Sequence, residues 1–335
     1  MKLTHAAASR GVTSAALKRM LMCGLPLVLV NALCFLQAVM PFSPDHVTDM
    51  SELFSGAGHV ALPFKPRAAE FDIERSPMEN INSPEGFLTA LRVVRDTNHR
   101  SGRRGTNHWG TVCSTWVYLS RSSTGRSLAF PLGNVNQPVV RQANTMLARV
   151  CLCIVFGCCL RLAFFHEQPA SSLASSTKFL LWVRSVIIDI LEQRWDRFLM
   201  RMGHYGGHMQ KPTEVCTNTE WGYLLRRPLS MERRQELWAV QGVQHLPGDQ
   251  ATGKRRISGA QGLKDSQVYP REYGEAIHDL WEKHAQTLEI EEEVSSDEDL
   301  PWQEWSAAMH GCDWPETRLT EVAELIGVPS DSFLP

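Results

Sequence analysis

The sequence of 335 residues lacks the composition biases that mark several classes of protein. Hydrophobic residues make up 43% and charged residues 21% of the chain, and its mean hydropathy is -0.21, which excludes a wholly disordered, collagenous or polytopic membrane protein. Nine cysteines are too few for a disulfide scaffold, and their odd number leaves at least one thiol unpaired in any monomer. We therefore expect a globular protein of one large or two ordinary domains, in a reducing intracellular compartment such as the nucleus or an organelle.

Charge is unevenly distributed along the chain, although the formal net charge is only -2. Between Thr97 and His166 there are eight arginines and no Asp or Glu, whereas Gln286 to Pro335 holds thirteen acidic residues and a single basic one, Arg318. The basic segment could attract a polyanion such as nucleic acid, and it is equally explained by solvated arginines that acids elsewhere neutralise. The acidic residues predict a solvated linker over 289–299, before a short helix from Leu319 to Ile326.

Residues 1–47 form a hydrophobic N-terminal extension. Residues 20–43 are uncharged, and this run is long enough for a membrane span of about 20 residues, although Pro26, Asn31 and Gln37 interrupt it. One interpretation is a targeting or anchor segment with membrane contact through residues 20–43. The alternative is an extra apolar helix that packs on the domain.

Short apolar runs alternate with helical stretches between Thr48 and Pro169. This alternation indicates β-α-β units and an α/β fold with a doubly wound, mostly parallel sheet, in a domain of residues 48–288 that includes a basic insert over 231–266. The predicted strands are Thr48 to Phe54, Ala69 to Ile73, His108 to Val112 and Leu162 to His166. The predicted helices are Phe87 to Arg95, with Ser83 as its N-cap, and Gln137 to Leu160, Lys178 to Leu199 and Tyr273 to Leu288.

The helix predicted from Gln137 to Leu160 carries four cysteines, which raises the question of a metal site. A C-x-C pair and a C-C pair on one apolar helix cannot all converge on a tetrahedral ion, so we predict buried thiols and no metal. His204, His208 and His166 could be ligands as well, but they lack an acidic or Cys partner at suitable spacing, which favours loop histidines for the first two.

The first predicted strand ends in the glycine turn F-S-G-A-G, which we expect to lead into a helix. Gly56 and Gly58 can adopt positive φ and let a cofactor approach the backbone, while the N-terminus of a following helix offers free N–H groups. The second strand ends in F-D-I-E, where Asp72 and Glu74 stand at the position at which doubly wound folds place the acid that binds a ribose. A lone G-x-G is also found in plain turns, but the two features together favour a nucleoside cofactor.

The third and fourth predicted strands end in V-C-S-T-W and H-E-Q-P. Cys113 lies at a strand-to-loop junction in a segment rich in arginine and free of acids, which should favour the thiolate and so prepare a nucleophile. Glu167 is charged at the end of a strand that otherwise appears buried, which indicates a ligand or an acid role. The alternatives are a small buried thiol and a carboxylate bonded to loop N–H groups.

In this order, E-L-F-S-G-A-G, F-D-I-E, V-C-S-T-W and H-E-Q-P resemble motifs I, II, IV and VI of the cytosine-C5 DNA methyltransferases, which belong to the class I S-adenosylmethionine-dependent methyltransferases. The resemblance covers about residues 50–172 and is thinner from there to about residue 284. The chain departs from the family pattern in having Val-Cys-Ser for Pro-Cys-Gln and Glu-Gln-Pro for Glu-Asn-Val, and it lacks a Q-x-R-x-R strand.

The resemblance implies a Rossmann-like sheet of the class I methyltransferase type, S-adenosyl-L-methionine as cofactor, and nucleic acid, most of all DNA, as partner. Cys113 would add to C6 of a cytosine taken out of the base stack, and Glu167 would hydrogen-bond the protonated ring nitrogen while C5 is methylated. The implied cofactor-binding residues are Glu52, Phe54, Ser55, Gly56, Gly58, Asp72, Glu74 and Asn80. The implied nucleic-acid-binding residues are Arg121 and Arg126 in the loop after the nucleophile, Lys211 near the missing strand, and Arg255 and Arg256 in the basic insert.

Other hypotheses fit the same sequence. The chain could be a catalytically inactive, methyltransferase-fold protein that binds nucleic acid or serves as a scaffold. It could also be a methyltransferase with a substrate other than DNA, in which Cys113 only packs, or a protein held at a membrane by its N-terminal run.

Overall fold

A six-stranded sheet with strand order β2-β1-β3-β4-β6-β5 forms the centre of the computed structural model. The structure describes residues 14–26, 29, 30, 33, 47–97, 103–227, 231–239, 243–246, 256–259 and 265–285. The strands of the sheet are β1 (Met50–Leu53), β2 (Ala68–Phe71), β3 (Thr106–Trp109), β4 (Ala163–Pro169), β5 (Asp196–Arg201) and β6 (Pro212–Thr217).

Strands β1 to β4 run parallel, and β6 is antiparallel to both of its neighbours, β4 and β5. Five strands therefore point in one direction and β6 alone is reversed. Because β1 lies between β2 and β3, the chain changes its direction of winding there. In open α/β sheets, ligands bind in the crevice outside the carboxyl ends of the strands at such a switch point. The segments that follow β1 and β3 therefore flank the expected binding crevice.

Helices cover both faces of the sheet. One face carries α1 (Ser14–Met22), α2 (Pro84–Asp96), α4 (Pro138–Cys159) and α5 (Lys178–Ser185), which share an apolar core. The other face carries α7 (Arg271–His284), which packs in a second apolar core. Outside these layers lie the short helix α3 (Arg121–Thr124), helix α6 (Met231–Ala239) and an antiparallel hairpin of β7 (Val243–Leu246) and β8 (Arg256–Gly259). The predicted α/β class with a mostly parallel sheet is confirmed.

Local sequence signals placed several elements correctly. All four predicted strands overlap β1 to β4, and α2 begins where the Ser83 side chain accepts a hydrogen bond from the Gly86 N–H at 3.0 Å. Helix α4 is also confirmed, and its four cysteines are buried as predicted.

The helix predicted from Lys178 to Leu199 is wrong in its second half. The α-helix ends at Ser185, a π-helical turn covers Val186–Ile190, and β5 follows. In β5 the side chains of Phe198 and Met200 are buried, while the residues between and beside them are exposed. This alternation has the period of two that a strand requires, and pairing with β6 supplies the hydrogen bonds.

The helix expected after the glycine turn is also absent from the described structure. Residues Leu62–Phe64 form a single 3-10 turn there. Pro63 and Pro66 explain this, because proline lacks the N–H that continues a helix and restricts the residue before it.

The described part of the N-terminal run packs against α4. The side chains of Met20, Leu25 and Leu33 are fully buried, and Arg19 Nε donates to the Cys159 carbonyl oxygen at 2.7 Å. Among the described residues, Pro138–Cys159 is the one helix long and apolar enough to cross a membrane, and 83% of its apolar window is buried inside the fold, as in the core helix of a globular protein. Membrane contact through residues 20–43 stays a prediction. The predicted acidic linker and the last helix lie outside the described residues.

Candidate functional site

The turn after β1 has the backbone conformation that its glycines allow. Gly56 and Gly58 have φ of 49° and 68°, values at which glycine is unstrained, and Phe54 shares this region with φ of 64°. A Cβ added to Gly56 would meet no atom within 4 Å, so space is open beside this residue. The buried hydroxyl of Ser55 has no hydrogen-bond partner among the described residues. The turn therefore offers room and a polar group next to the switch point of the sheet.

Glu52 supports this turn from within the sheet. Its Oε2 accepts hydrogen bonds from the N–H groups of Val60 at 3.1 Å and Ala61 at 2.7 Å. Burial raises the pKa of Glu52 to about 8, Glu70 and Asp72 add to the rise, and the two backbone N–H groups oppose it. Its Oε1 has no hydrogen-bond partner in the part of the chain that the structure describes. The side chain thus holds the backbone of the turn.

Asp72 joins the end of β2 to the glycine turn. Its Oδ2 accepts from the Gly56 N–H at 2.9 Å, and its Oδ1 accepts from the Glu74 N–H at 2.8 Å. Glu74 itself is exposed, and the structure shows no bond from its carboxylate to another described residue. Asn80, in the same loop region, caps its own turn, because its Oδ1 accepts from the Asn82 N–H at 3.0 Å. Of the two carboxylates predicted to hold a ribose, Glu74 is the one that backbone bonds leave available.

Cys113 is half-buried in the segment that follows β3. Burial raises the pKa of its thiol to about 11, the Glu167 carboxylate adds to the rise, and Lys211 opposes it. The expectation that the thiolate is favoured is therefore wrong for this state of the protein, since the sulfur keeps its proton at neutral pH. The arginines of the segment do not lower the pKa of this thiol, because the charges that act on it are those of Glu167 and Lys211, and the effect of Glu167 is the larger.

Glu167 belongs to a buried cluster of side chains at the end of β4. Glu167 is 4% exposed, its carboxylate accepts a hydrogen bond from the Tyr269 hydroxyl at 2.7 Å, and its Oε1 lies 3.5 Å from Lys211 Nζ. The same ammonium group lies 5.0 Å from the centre of the Tyr269 ring. A buried carboxylate requires such partners, and here they are side chains rather than the loop N–H groups of the alternative interpretation.

Tyr269, just before α7, was missed by the sequence analysis, and it connects the two halves of the site. Its carbonyl oxygen lies 2.5 Å from Nδ1 of His59, the residue directly after the glycine turn, while its hydroxyl reaches Glu167. Gly110, directly after β3, makes room for it, since an added Cβ there would lie 2.6 Å from the tyrosine hydroxyl. No sequence signal could have found Tyr269, because more than 100 residues separate it from Glu167 and no motif contains it.

Arg126 does not have the predicted role in phosphate contact. Its side chain is 2% exposed, stacks 3.4 Å from the centre of the Trp116 ring, and donates to the Pro131 carbonyl oxygen at 2.7 Å. Burial also lowers the pKa of its guanidinium to about 10. Arg126 therefore holds together the loop that follows Cys113, and it is not available to a polyanion.

The other residues predicted to bind nucleic acid have different positions. Arg121 is half-buried and donates to the Ser171 carbonyl oxygen at 3.2 Å, and Lys211 belongs to the Glu167 cluster. Arg255 lies outside the described residues, whereas Arg256 begins β8. The backbone of β8 lies beside the 3-10 turn Tyr118–Ser120, so the basic insert approaches the loop after Cys113.

A scan against protein-family models finds no match for the chain, and a search of curated proteins finds none either. The function is therefore inferred from the residues that meet at the carboxyl edge of the sheet.

Proposed function

We propose that the protein is an S-adenosylmethionine-dependent methyltransferase acting on a nucleic-acid base, most of all on cytosine C5 of DNA. The observation that carries this proposal is that the Glu167 cluster, in which Tyr269 connects Glu167 to the segment after the glycine turn, lies close enough to Cys113 for the charges of Glu167 and Lys211 to act on its thiol. The sheet supports it further, because the resemblance to these enzymes implies a doubly wound, mostly parallel sheet, and this sheet is mostly parallel with helices on both faces.

The glycine turn suits the proposed cofactor. Open space beside Gly56, the unpartnered Ser55 hydroxyl and the exposed Glu74 carboxylate provide room and polar groups for a nucleoside linked to an amino acid. We assign the ribose to Glu74 rather than Asp72, because both Asp72 oxygens already accept backbone N–H groups. When bound, S-adenosylmethionine supplies an electrophilic methyl group.

In the proposed reaction, the Cys113 thiol loses its proton and its sulfur adds to C6 of the cytosine. The thiol proton passes to solvent, and the electron pair of the C5–C6 double bond moves to C5, which would take the methyl group as the methyl–sulfur bond of S-adenosylmethionine breaks and S-adenosylhomocysteine leaves. Loss of the C5 proton to solvent would then restore the C5–C6 double bond and break the S–C6 bond. Glu167 would hydrogen-bond N3 of the cytosine in its protonated form. The positive charge of a protonated N3 would offset the Glu167 charge that raises the pKa of Cys113, so binding of the base in this form would also make the thiol easier to ionise.

A titration of S-adenosylmethionine by calorimetry tests the cofactor site. We expect saturable binding to the wild type, weaker binding to Glu74→Ala, and unchanged binding to Glu85→Ala, which removes an exposed acid from α2. Lack of binding to the wild-type protein would overturn the assignment of the glycine turn.

A covalent trap tests the chemistry. We expect DNA containing 5-fluorocytosine to form a stable complex with the wild-type protein in the presence of S-adenosylmethionine, and Cys113→Ala to abolish it, because fluorine at C5 prevents release of the sulfur. Failure of the wild type to form the complex while it binds the DNA and the cofactor rejects methylation at C5. Methylation activity that survives in Cys113→Ser would instead assign the protein to a substrate on which this thiol does not act.

One observation favours a second candidate, a catalytically inactive nucleic-acid-binding or scaffold protein. Glu167 already has two side-chain partners, and the raised pKa keeps the Cys113 thiol protonated. Neither residue therefore needs a bound base as a partner. This candidate predicts DNA binding without cofactor binding and without a covalent complex, so the same two measurements distinguish it.

A further inference from the structure

A groove of about 630 Å³ lies at the β5 edge of the sheet. It is formed by β5, the start of β6, the 3-10 turns Met202–Tyr205 and Gly222–Leu225, and the residues that follow the second turn. Neither Cys113 nor a member of the Glu167 cluster lines this groove, and no other predicted site residue does.

The lining of the groove is basic. Arg201, Arg226 and Arg227 contribute to it, and no Asp or Glu does. Among the described residues, none of these three arginines forms an ion pair with a carboxylate. Arg201 donates to the Gln210 side-chain oxygen, and Arg227 lies 4.7 Å from the centre of the Tyr205 ring. Arginines that no nearby carboxylate neutralises create a positive potential that attracts phosphate groups.

The groove also presents an aromatic ring on a firmly held turn. Tyr223 is 51% exposed, and Leu224 beside it is 40% exposed. Beneath them Tyr205 is fully buried and donates a hydrogen bond to the Leu225 carbonyl oxygen, which ties one 3-10 turn to the other. An exposed aromatic ring next to arginines is the combination that binds single strands of nucleic acid, since bases stack on the ring while phosphates pair with the cations.

One lining residue of the groove is next in sequence to a residue of the proposed catalytic site. Pro212 lines the groove, whereas the residue before it, Lys211, lies beside Glu167. A strand that contacts Pro212 would therefore contact the residue next to Lys211, which lies beside Glu167.

We infer that the groove binds a single-stranded stretch of nucleic acid next to the target base, with phosphates on Arg226 and Arg227 and a base stacked on Tyr223. This inference rests on the proposed function, and it assigns the groove as the surface that binds the nucleic-acid substrate. DNA and RNA share the relevant chemistry.

Fluorescence anisotropy with labelled single strands of about 20 nucleotides tests the inference on the full chain without cofactor. We expect Arg226→Ala/Arg227→Ala to weaken binding at least ~10-fold and to reduce the slope of log K against log salt by about 1.4, since each phosphate contact on a single strand contributes about 0.7. We expect Tyr223→Ala to weaken binding roughly 10-fold, and Tyr223→Phe to retain it because the ring remains. The matched control is Arg92→Ala/Arg184→Ala on helices of the opposite face, which should leave both affinity and slope unchanged.

Equal losses in the groove variant and in the control would show a general charge effect and overturn the inference. So would Tyr223→Ala binding as tightly as the wild type, or polyglutamate of matched charge displacing the strand as well as unlabelled oligonucleotide does, since the groove would then accept any acidic chain. Binding of either DNA or RNA through these residues supports it. The anisotropy measurement needs neither cofactor nor turnover. Binding in the groove without formation of the 5-fluorocytosine complex would therefore reject cytosine methylation and leave the inference about the groove intact.

Discussion

At the scale of single residues, the thiol and the carboxylate of the site act on each other. Burial raises the pKa of Cys113, and the negative charge of Glu167 raises it further, while the Lys211 ammonium works in the opposite direction. The sequence showed an arginine-rich segment around the thiol, but charge counted along the chain says nothing about which charged atoms approach the sulfur in space. Only the fold brings Glu167 and Lys211 to it.

We therefore expect Glu167→Gln to increase the reactivity of Cys113 toward iodoacetamide at pH 8. Removal of the carboxylate charge lowers the pKa of the thiol below about 11, and the thiolate fraction at pH 8 rises about tenfold for each unit by which the pKa falls. The alkylation rate rises about three- to fourfold per unit, because a less basic thiolate is a weaker nucleophile. Mass spectrometry of the peptide that contains Cys113 measures this rate. Lys211→Met is the matched variant and should slow alkylation, because Lys211 lowers the pKa. Changes of the same sign in both variants would contradict this electrostatic account.

At the scale of secondary-structure elements, α7 completes the site although it comes last among the described elements. Its residue Gly274 lies against the glycine turn, since a Cβ there would be 2.3 Å from the His59 carbonyl oxygen. The sequence predicted this helix from its periodicity, and α2 and α4 likewise, because amphipathic patterns and caps are local. It misassigned β5, because this strand depends on backbone pairing with β6 and on packing of Phe198 and Met200 in the second apolar core, and both involve residues well along the chain.

We expect Gly274→Ala to destabilise the protein by about 1 to 3 kcal/mol. The added methyl group would clash with the His59 carbonyl oxygen, a backbone atom, and would push α7 away from it. Alanine gains about 1 kcal/mol in helix propensity, so a net loss shows that the packing contact dominates. Urea denaturation provides the measurement. Glu275→Ala, at an exposed position of the same helix, should change stability by less than about 0.5 kcal/mol. An unchanged midpoint for Gly274→Ala would mean that α7 does not dock closely on the turn.

At the scale of the whole molecule, buried titratable groups link the stability of the fold to pH. The folded state holds Glu52 with a pKa of about 8 against an ordinary value of 4.5, so it binds more protons than the unfolded chain between these values. Burial lowers the pKa of His108 to about 3 and of His166 to about 4, from an ordinary 6.5. The two histidines therefore reduce stability as the pH falls below about 6.5, whereas Glu52 reduces it as the pH rises toward 8.

We expect the free energy of unfolding to fall between pH 6.5 and pH 8 in the wild type and to stay level in Glu52→Gln, which cannot ionise. The slope is at most about 1.4 kcal/mol per pH unit, so the difference between the two proteins should change by roughly 1 to 2 kcal/mol over this window. Urea titrations at several pH values measure it. An equal fall of the free energy of unfolding in both proteins would show that a group other than Glu52 causes the pH dependence.

The sequence by itself determined the α/β class, the four parallel strands and the motifs at their ends, because burial on both faces of a sheet and turn chemistry leave local traces in the chain. Only the tertiary structure decided what those motif residues contact. In the tertiary structure Arg126 stacks on the Trp116 ring, and Asp72 accepts a hydrogen bond from a backbone N–H. Lys211 and Tyr269 both contact Glu167. The physical reason is that the charge state and partners of a buried side chain depend on atoms distant in sequence, and a short motif contains no information about them.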